Sequence, residues 1–207
     1  MAHNELKGKR VAILATDGVE EVELTEPRQA LEQAGATTVV VAPSSGTSSG
    51  KPRRTIRAWR HDQWGSEIPV DLPVEEARAD DFDALMLPGG VMNPDRLRMD
   101  ARAVDFVRAF FLAAKPVAAI CHAPWMLVEA DVIRGRTLTS WPSLRTDIRN
   151  AGGDWVDRDV VTDEGLVTSR KPDDIPSFNR KMIEEFAEGA HEGQRPGERA
   201  EQPEIRL

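Results

Sequence analysis

Residues 116–123 read Pro-Val-Ala-Ala-Ile-Cys-His-Ala, and this stretch decides the fold. Val117 to Ile120 form a short run that is aliphatic throughout, and a helical pattern follows directly, reaching Ile133. A strand apolar on both faces must be covered on both sides, which is the mark of a parallel sheet between two layers of helices. The small residues Ala119 and Ala123 stand two before and two after Cys121. A sharp strand-to-helix elbow needs small residues there, because larger side chains would collide across the turn. Moving outward, the same alternation recurs. Arg10 to Thr16 and Thr37 to Ala42 read as buried strands, with a helix from Glu20 to Gly35 between them that Pro27 kinks or restarts. Ala84 to Leu87 is a third core strand, broken by Pro88-Gly89-Gly90. Asp100 is a cap for a helix whose Val104, Val107, Phe111 and Ala114 share one face. Residues 55–59 and 67–71 predict a side hairpin around Trp64-Gly65, further β-type runs fall near 137–140, 155–161 and 166–169, and an amphipathic helix spans about 173–188. The expectation is a doubly wound α/β fold, a three-layer sandwich with a mainly parallel sheet in one domain. From Gly189 to Leu207 the chain is polar and aperiodic, and is expected as a flexible tail or an extension packed on a partner subunit.

Composition narrows the function. With 27 Lys and Arg against 35 Asp and Glu in 207 residues, the formal charge is −8, which argues against a nucleic-acid binder. No run approaches the ~20 apolar residues of a membrane span, and Val11 to Ala15 is too short for a signal sequence. A single cysteine excludes an internal disulfide, so a cytoplasmic setting is the simplest expectation. There is no G-x-G-x-x-G. Gly46 to Pro52 resembles a phosphate-binding loop but is one residue short and ends in Pro. No His, Cys or carboxylate cluster shows metal-ligand spacing, so neither metal nor cofactor is expected.

In such sheets ligands bind at the carboxyl ends of the strands, where Asp17 to Glu20, the Pro88-Gly89-Gly90 turn and Cys121 converge. At an elbow the thiol meets a helix N-terminus, whose partial positive charge favours thiolate. A lone cysteine is otherwise a small buried hydrophobe. Any Cys–His pair must be Cys121–His122, since His3, His61 and His191 fall in a terminus, a hairpin and the tail. The amide of His122 and the Gly89-Gly90 turn are candidates for an oxyanion hole. In Glu20-Glu-Val-Glu23 the helix dipole accounts for Glu21 and Glu23, while Glu20 is the candidate carboxylic acid beside the thiol.

These residues resemble the PfpI-type intracellular peptidase family, a branch of the class I glutamine amidotransferase-like superfamily that includes the parkinsonism-associated deglycase and bacterial general stress proteins. The resemblance covers about residues 8–188 and rests on Glu20–Leu24, Leu87–Gly90, Lys115–His122, Arg134–Pro142 and Asn150–Val156, in that order. It implies a flavodoxin-like sandwich with Cys121 as nucleophile, Glu20 hydrogen-bonding the thiol, and Gly90 with the His122 amide as oxyanion donors. It implies that the acid completing His122 comes from a neighbouring subunit at Asp95, where the archetype has Glu, and hence a homodimer or a hexamer of dimers. Ala123 replaces the usual Gly after Cys-His. Trp141 falls where the family often has an aromatic residue near the site, and it is equally suited to core or interface. The implied activities are glyoxalase or deglycase chemistry on small reactive aldehydes, or peptide hydrolysis. The alternative is a non-enzymatic redox sensor or stress chaperone that works through oxidation of Cys121.

Overall fold

The computed structural model describes residues 4–44 and 54–196. The phosphate-loop-like stretch and the last residues of the chain therefore lie outside the described residues. In chain order the elements are β1 (Arg10–Leu14), α1 (Glu21–Gln33), β2 (Thr37–Ala42), β3 (Thr55–Arg60), β4 (Gln63–Pro69), β5 (Leu72–Pro73), β6 (Ala84–Leu87), α2 (Met92–Leu97), α3 (Ala101–Leu112), β7 (Val117–Ile120), α4 (Pro124–Glu129), β8 (Thr137–Leu138), α5 (Arg145–Asn150), β9 (Asp154–Trp155), β10 (Val160–Asp163), β11 (Leu166–Ser169) and α6 (Ile175–Glu188). Seven strands form one sheet in the order β10-β11-β7-β6-β1-β2-β5. Every pairing in it is parallel except β10 with β11.

The pleat sorts each central strand onto two cores. On β1, Ala12 and Leu14 face one side while Val11 and Ile13 face the other; on β7, Val117 and Ala119 oppose Ala118 and Ile120. The first side carries Phe106, Phe110 and Phe111 of α3 and Leu127 of α4, and the second carries Leu24 and Leu31 of α1 with Phe178, Met182 and Phe186 of α6. This two-sided burial is why the strands lack polar alternation. The three-layer flavodoxin-like sandwich expected from the sequence is the fold found. Asp100 caps α3 by accepting from the amides of Arg102 and Ala103. Among the described residues no helix is long and apolar enough to cross a membrane.

Several local expectations are corrected. Helix α1 runs on through Pro27 without restarting. The hairpin turns at His61-Asp62 rather than at Trp64-Gly65, with His61 in the left-handed region at φ 57° and Trp59 paired to Trp64. The run near 155–161 divides into β9 and β10. After α6 the chain is not a free tail as far as residue 196. Gln194 is fully buried, its amide donates to the Lys115 carbonyl at 3.2 Å, and the buried Arg136 guanidinium donates to its carbonyl. A polar, aperiodic sequence hides this packing because the partners that satisfy it are backbone carbonyls and one buried arginine.

Candidate active site

Register brings four strand ends to one edge: Ile13 pairs with Met86, Leu87 with Ala119, and Ile120 with Ser169. Just beyond them stand Thr16, the Pro88-Gly89-Gly90 turn and Cys121. Buried Asn93 binds two of these together. Its Oδ1 accepts from the Thr16 amide at 2.7 Å, and its Nδ2 donates to the carbonyls of Pro88 at 2.8 Å and Gly89 at 3.2 Å. Gly90 takes φ +82°, and a Cβ there would lie 2.5 Å from the Gly18 carbonyl oxygen. At Gly89 a Cβ would collide with the Glu23 carboxyl and come within 2.7 Å of the Cys121 Cβ. The two glycines are there because backbone and carboxyl crowd the thiol.

Cys121 itself adopts φ +64°, a conformation costing a non-glycine residue on the order of 1–3 kcal/mol that the surroundings must offset. They do so on both sides: its amide donates to the Ser169 carbonyl at 2.9 Å and its carbonyl accepts from the Trp141 amide at 2.8 Å. The strand thus ends in a clamped elbow that turns the thiol into a cavity of about 320 Å³, with Glu20, Glu23, His122 and Trp141 among its lining residues.

The carboxyl that meets the thiol is Glu23, not Glu20. One turn into α1, Glu23 points inward, fully buried, and accepts from the Gly89 amide at 3.1 Å and from that of Gly90. It is hydrogen-bonded to Cys121. Burial, reinforced by the nearby charge of Glu20, pushes its pKa up to about 8, so at neutral pH it holds a proton. Glu20 lies at the helix start, half-buried on the cavity wall, where its carboxylate accepts from the His61 amide; burial raises its pKa as well. The sequence could not separate these two acids, since both sit at a helix N-terminus. The separating signal is the helical spacing that puts Glu23 beside Leu24, Pro27 and Leu31 on the buried face.

Burial pushes the Cys121 thiol up, and so does the Glu23 charge whenever that carboxyl is ionised. The amides of Gly90 and His122 face the sulfur and oppose this. With Glu23 protonated its repulsion is gone, and the hydrogen bond favours thiolate. His122 Nδ1 stands 3.2 Å from Sγ, and Ser143 Oγ lies 3.5 Å from Nε2. Burial lowers the imidazole pKa to about 4, so the ring is neutral at pH 7 and able to accept a proton. Trp141 stacks on that ring, with centroids 5.7 Å apart and planes 24° apart, while Trp125 tilts against it at 5.5 Å. Asp95 is exposed in the first turn of α2, close in sequence to the cavity-lining Val91 and Met92. Ser143, Asn93 and Trp125 carry no sequence motif and are found only through their contacts. The hairpin, expected as a side feature, supplies Trp59 and His61 to the cavity wall. It docks there through a 2.7 Å bond from the Trp59 amide to the Val19 carbonyl.

This geometry has relatives. A family model described as the DJ-1/PfpI family matches residues 9–185. General stress protein 18 of Bacillus subtilis (strain 168) is 43% identical over 178 residues, covering 85% of this chain and 96% of that protein. Protein/nucleic acid deglycase 2 of Escherichia coli (strain K12) is 40% identical over 176 residues, covering 84% and 96%. The crystal structure of Drosophila melanogaster DJ-1beta superposes with a TM-score of 0.74 at 28% identity, covering 86% of this chain and 90% of that one. A thiol on a strained elbow, a buried acid against it and this extent of similarity lead to one conclusion: the chain belongs to the DJ-1/PfpI family.

Proposed function

We propose that the protein is a cysteine-dependent enzyme of small reactive carbonyls, converting α-oxoaldehydes such as methylglyoxal to the hydroxy acid or releasing them from early glycation adducts. The observation that carries this reading is Cys121 Sγ, clamped at positive φ, 3.2 Å from a neutral imidazole nitrogen and against a protonated carboxyl. The cavity above it is sized for a small molecule. The relative named as a deglycase supports the same class.

In this mechanism His122 Nδ1 takes the thiol proton and the sulfur attacks the aldehyde carbon, forming a C–S bond and an alkoxide. The amides of Gly90 and His122, which face the sulfur, stabilise the alkoxide, which the imidazolium then protonates. Glu20, the second carboxyl on the cavity wall, removes the proton from the former aldehyde carbon. The electron pair left behind gives an enediol, which is protonated at the neighbouring carbon to yield a thioester of lactate. Water hydrolyses the thioester and returns the thiol. In sum, methylglyoxal and water give lactate and a proton. One carbon is oxidised by two electrons as its neighbour is reduced by two, so the balance needs no outside oxidant or reductant. In deglycation the same attack ends with the imidazolium protonating the leaving amine. Asp95 of a second copy completes the proton path at His122, making the active unit a dimer or larger; its exposure on the helix that begins at the cavity-lining Met92 supports that role.

The test is methylglyoxal loss with lactate detected as product, for wild type beside Cys121→Ser. Turnover confined to wild type is the expected result. Absence of turnover in both proteins would sink the carbonyl reading and favour peptide hydrolysis or oxidation sensing. Asp95→Ala should lower turnover without altering the fold, and an active monomer in sedimentation would refute the shared site.

A further inference from the structure

At the opposite edge of the sheet, where β7 and β11 begin, lies a second cluster that the chemistry above does not use. Glu185 and Glu188, three apart on the last turn of α6, share one face. Gly189, at φ +89°, turns the chain back so that His191 faces them. No ligand spacing is legible here in the sequence, because only this reversal brings the imidazole to the helix end. His191 is itself held firmly: its amide donates to the Ala114 carbonyl at 2.8 Å. Its ring packs over Gly165, where a Cβ would come within 2.8 Å of Cδ2.

We propose that Glu185, Glu188 and His191 form a binding site for a borderline divalent cation of the zinc type. Two independent observations converge on it. First, His191 Nε2 is buried without a hydrogen-bond partner, and it faces the Glu185 carboxyl, whose side chain is only 9% exposed. A buried polar atom left in that state is costly unless something not yet present engages it. Second, the distances suit a shared ion. Nε2 lies 3.4 Å from Glu185 Oε2 and 3.8 Å from Glu188 Oε2, and one ligand atom from each of the three residues falls within 4.8 Å of the others. Four ligands about 2.0–2.2 Å from a tetrahedral zinc stand about 3.3–3.6 Å apart along each edge. The 3.4 Å approach is therefore an edge length of such a site, made without hydrogen-bond geometry. One imidazole and two carboxylates suit zinc or a neighbouring transition ion, with water in the remaining position.

Such a site has a clear structural consequence. The matched family region ends at residue 185, so Glu188 and His191 lie in the extension beyond it. The ion joins α6 to the segment carrying buried Gln194 and the Arg136 contacts. It acts as a clip on the C-terminal extension.

The experiment is titration of the full-length protein with Zn2+ alone, followed by calorimetry and by the melting temperature. Wild type, Glu188→Gln and His191→Ala are compared. The Cys121 thiol is present in all three, so any binding there cancels. Wild type is expected to take up one more equivalent of Zn2+ than either variant and to melt higher when loaded, and Co2+ in its place should give a tetrahedral visible spectrum that His191→Ala lacks. Glu188 is exposed, so its variant folds even if loss of His191 does not permit folding. Equal stoichiometry in wild type and Glu188→Gln, with no zinc-dependent rise in melting temperature, overturns the proposal.

Discussion

The two ends of the sheet each pair a histidine with a buried glutamate, yet only one end is built for catalysis. At the carboxyl end, Glu23 is held by the amides of Gly89 and Gly90, and His122 stands against a thiol on strained backbone beside a cavity. At the amino end, Glu185 and His191 face each other with no nucleophile and no hydrogen bond between them. The residue types are nearly the same. What differs is that at the first site the imidazole and the Glu23 carboxyl both engage the thiol. The second site leaves its nitrogen unengaged, an arrangement for holding an ion and not for moving a proton.

The largest expected effect falls on the proposed nucleophile. Cys121→Ser should reduce carbonyl turnover by a factor on the order of 10³ or more, measured as lactate formed. Activity kept within tenfold would erase the distinction between the two ends. Next comes Glu23→Gln, expected to lower kcat/KM by roughly tenfold, because an amide donates a weaker hydrogen bond to the thiolate than a carboxylic acid does, while raising the melting temperature at pH 7. The sign follows from linkage. The folded pKa of about 8 lies above the ordinary 4.5, so between those values the unfolded chain releases a proton that the folded chain keeps. Stability contributed by this group is complete below pH 4.5 and is lost as pH rises toward 8. At pH 7 the cost is on the order of 3 kcal/mol, and glutamine removes it. A variant that is both less stable and fully active would contradict the assignment of Glu23.

The same groups shape the pH profile. His122 must be neutral to accept the thiol proton, and its pKa is lowered to about 4; Glu23 must be protonated, and its pKa is raised to about 8. Glu20 must be ionised to act as the base, and burial raises its pKa above the ordinary 4.5. Turnover should therefore fall at acid pH as Glu20 takes up its proton, ahead of His122, and again above about pH 8. Glu23→Gln should abolish the upper limb and leave the lower one. The smallest effect is expected at Ser143, which lies 3.5 Å from His122 Nε2. Ser143→Ala should change kcat by about two- to fivefold, with KM unchanged because the hydroxyl meets the ring and is not among the residues lining the cavity.

The sandwich was readable because Val117 to Ile120, Ala84 to Leu87 and Val11 to Leu14 are apolar on both faces, a pattern that admits few folds. The elbow was readable from small residues around Cys121, and its partner His122 from adjacency. The acid was not. Glu20 and Glu23 are both helix-start glutamates, and only the three-dimensional approach of the Gly89 turn to α1 selects Glu23. Asn93 and Ser143 were invisible for a related reason: each acts through contacts far apart in sequence. The last segment misled because its burial depends on Arg136 and backbone carbonyls, which hydropathy does not register.

In the proposed mechanism Cys121 bonds covalently to the aldehyde carbon of substrate. The most direct measurement is carbon-13 NMR of wild-type protein mixed with methylglyoxal labelled at its aldehyde carbon, followed by peptide mapping. The expected result is a sulfur-bonded carbon resonance that maps to Cys121, decays into labelled lactate and is missing from Cys121→Ser. Lactate formed at the wild-type rate with label only on lysine or arginine, and Cys121 left free, would contradict it.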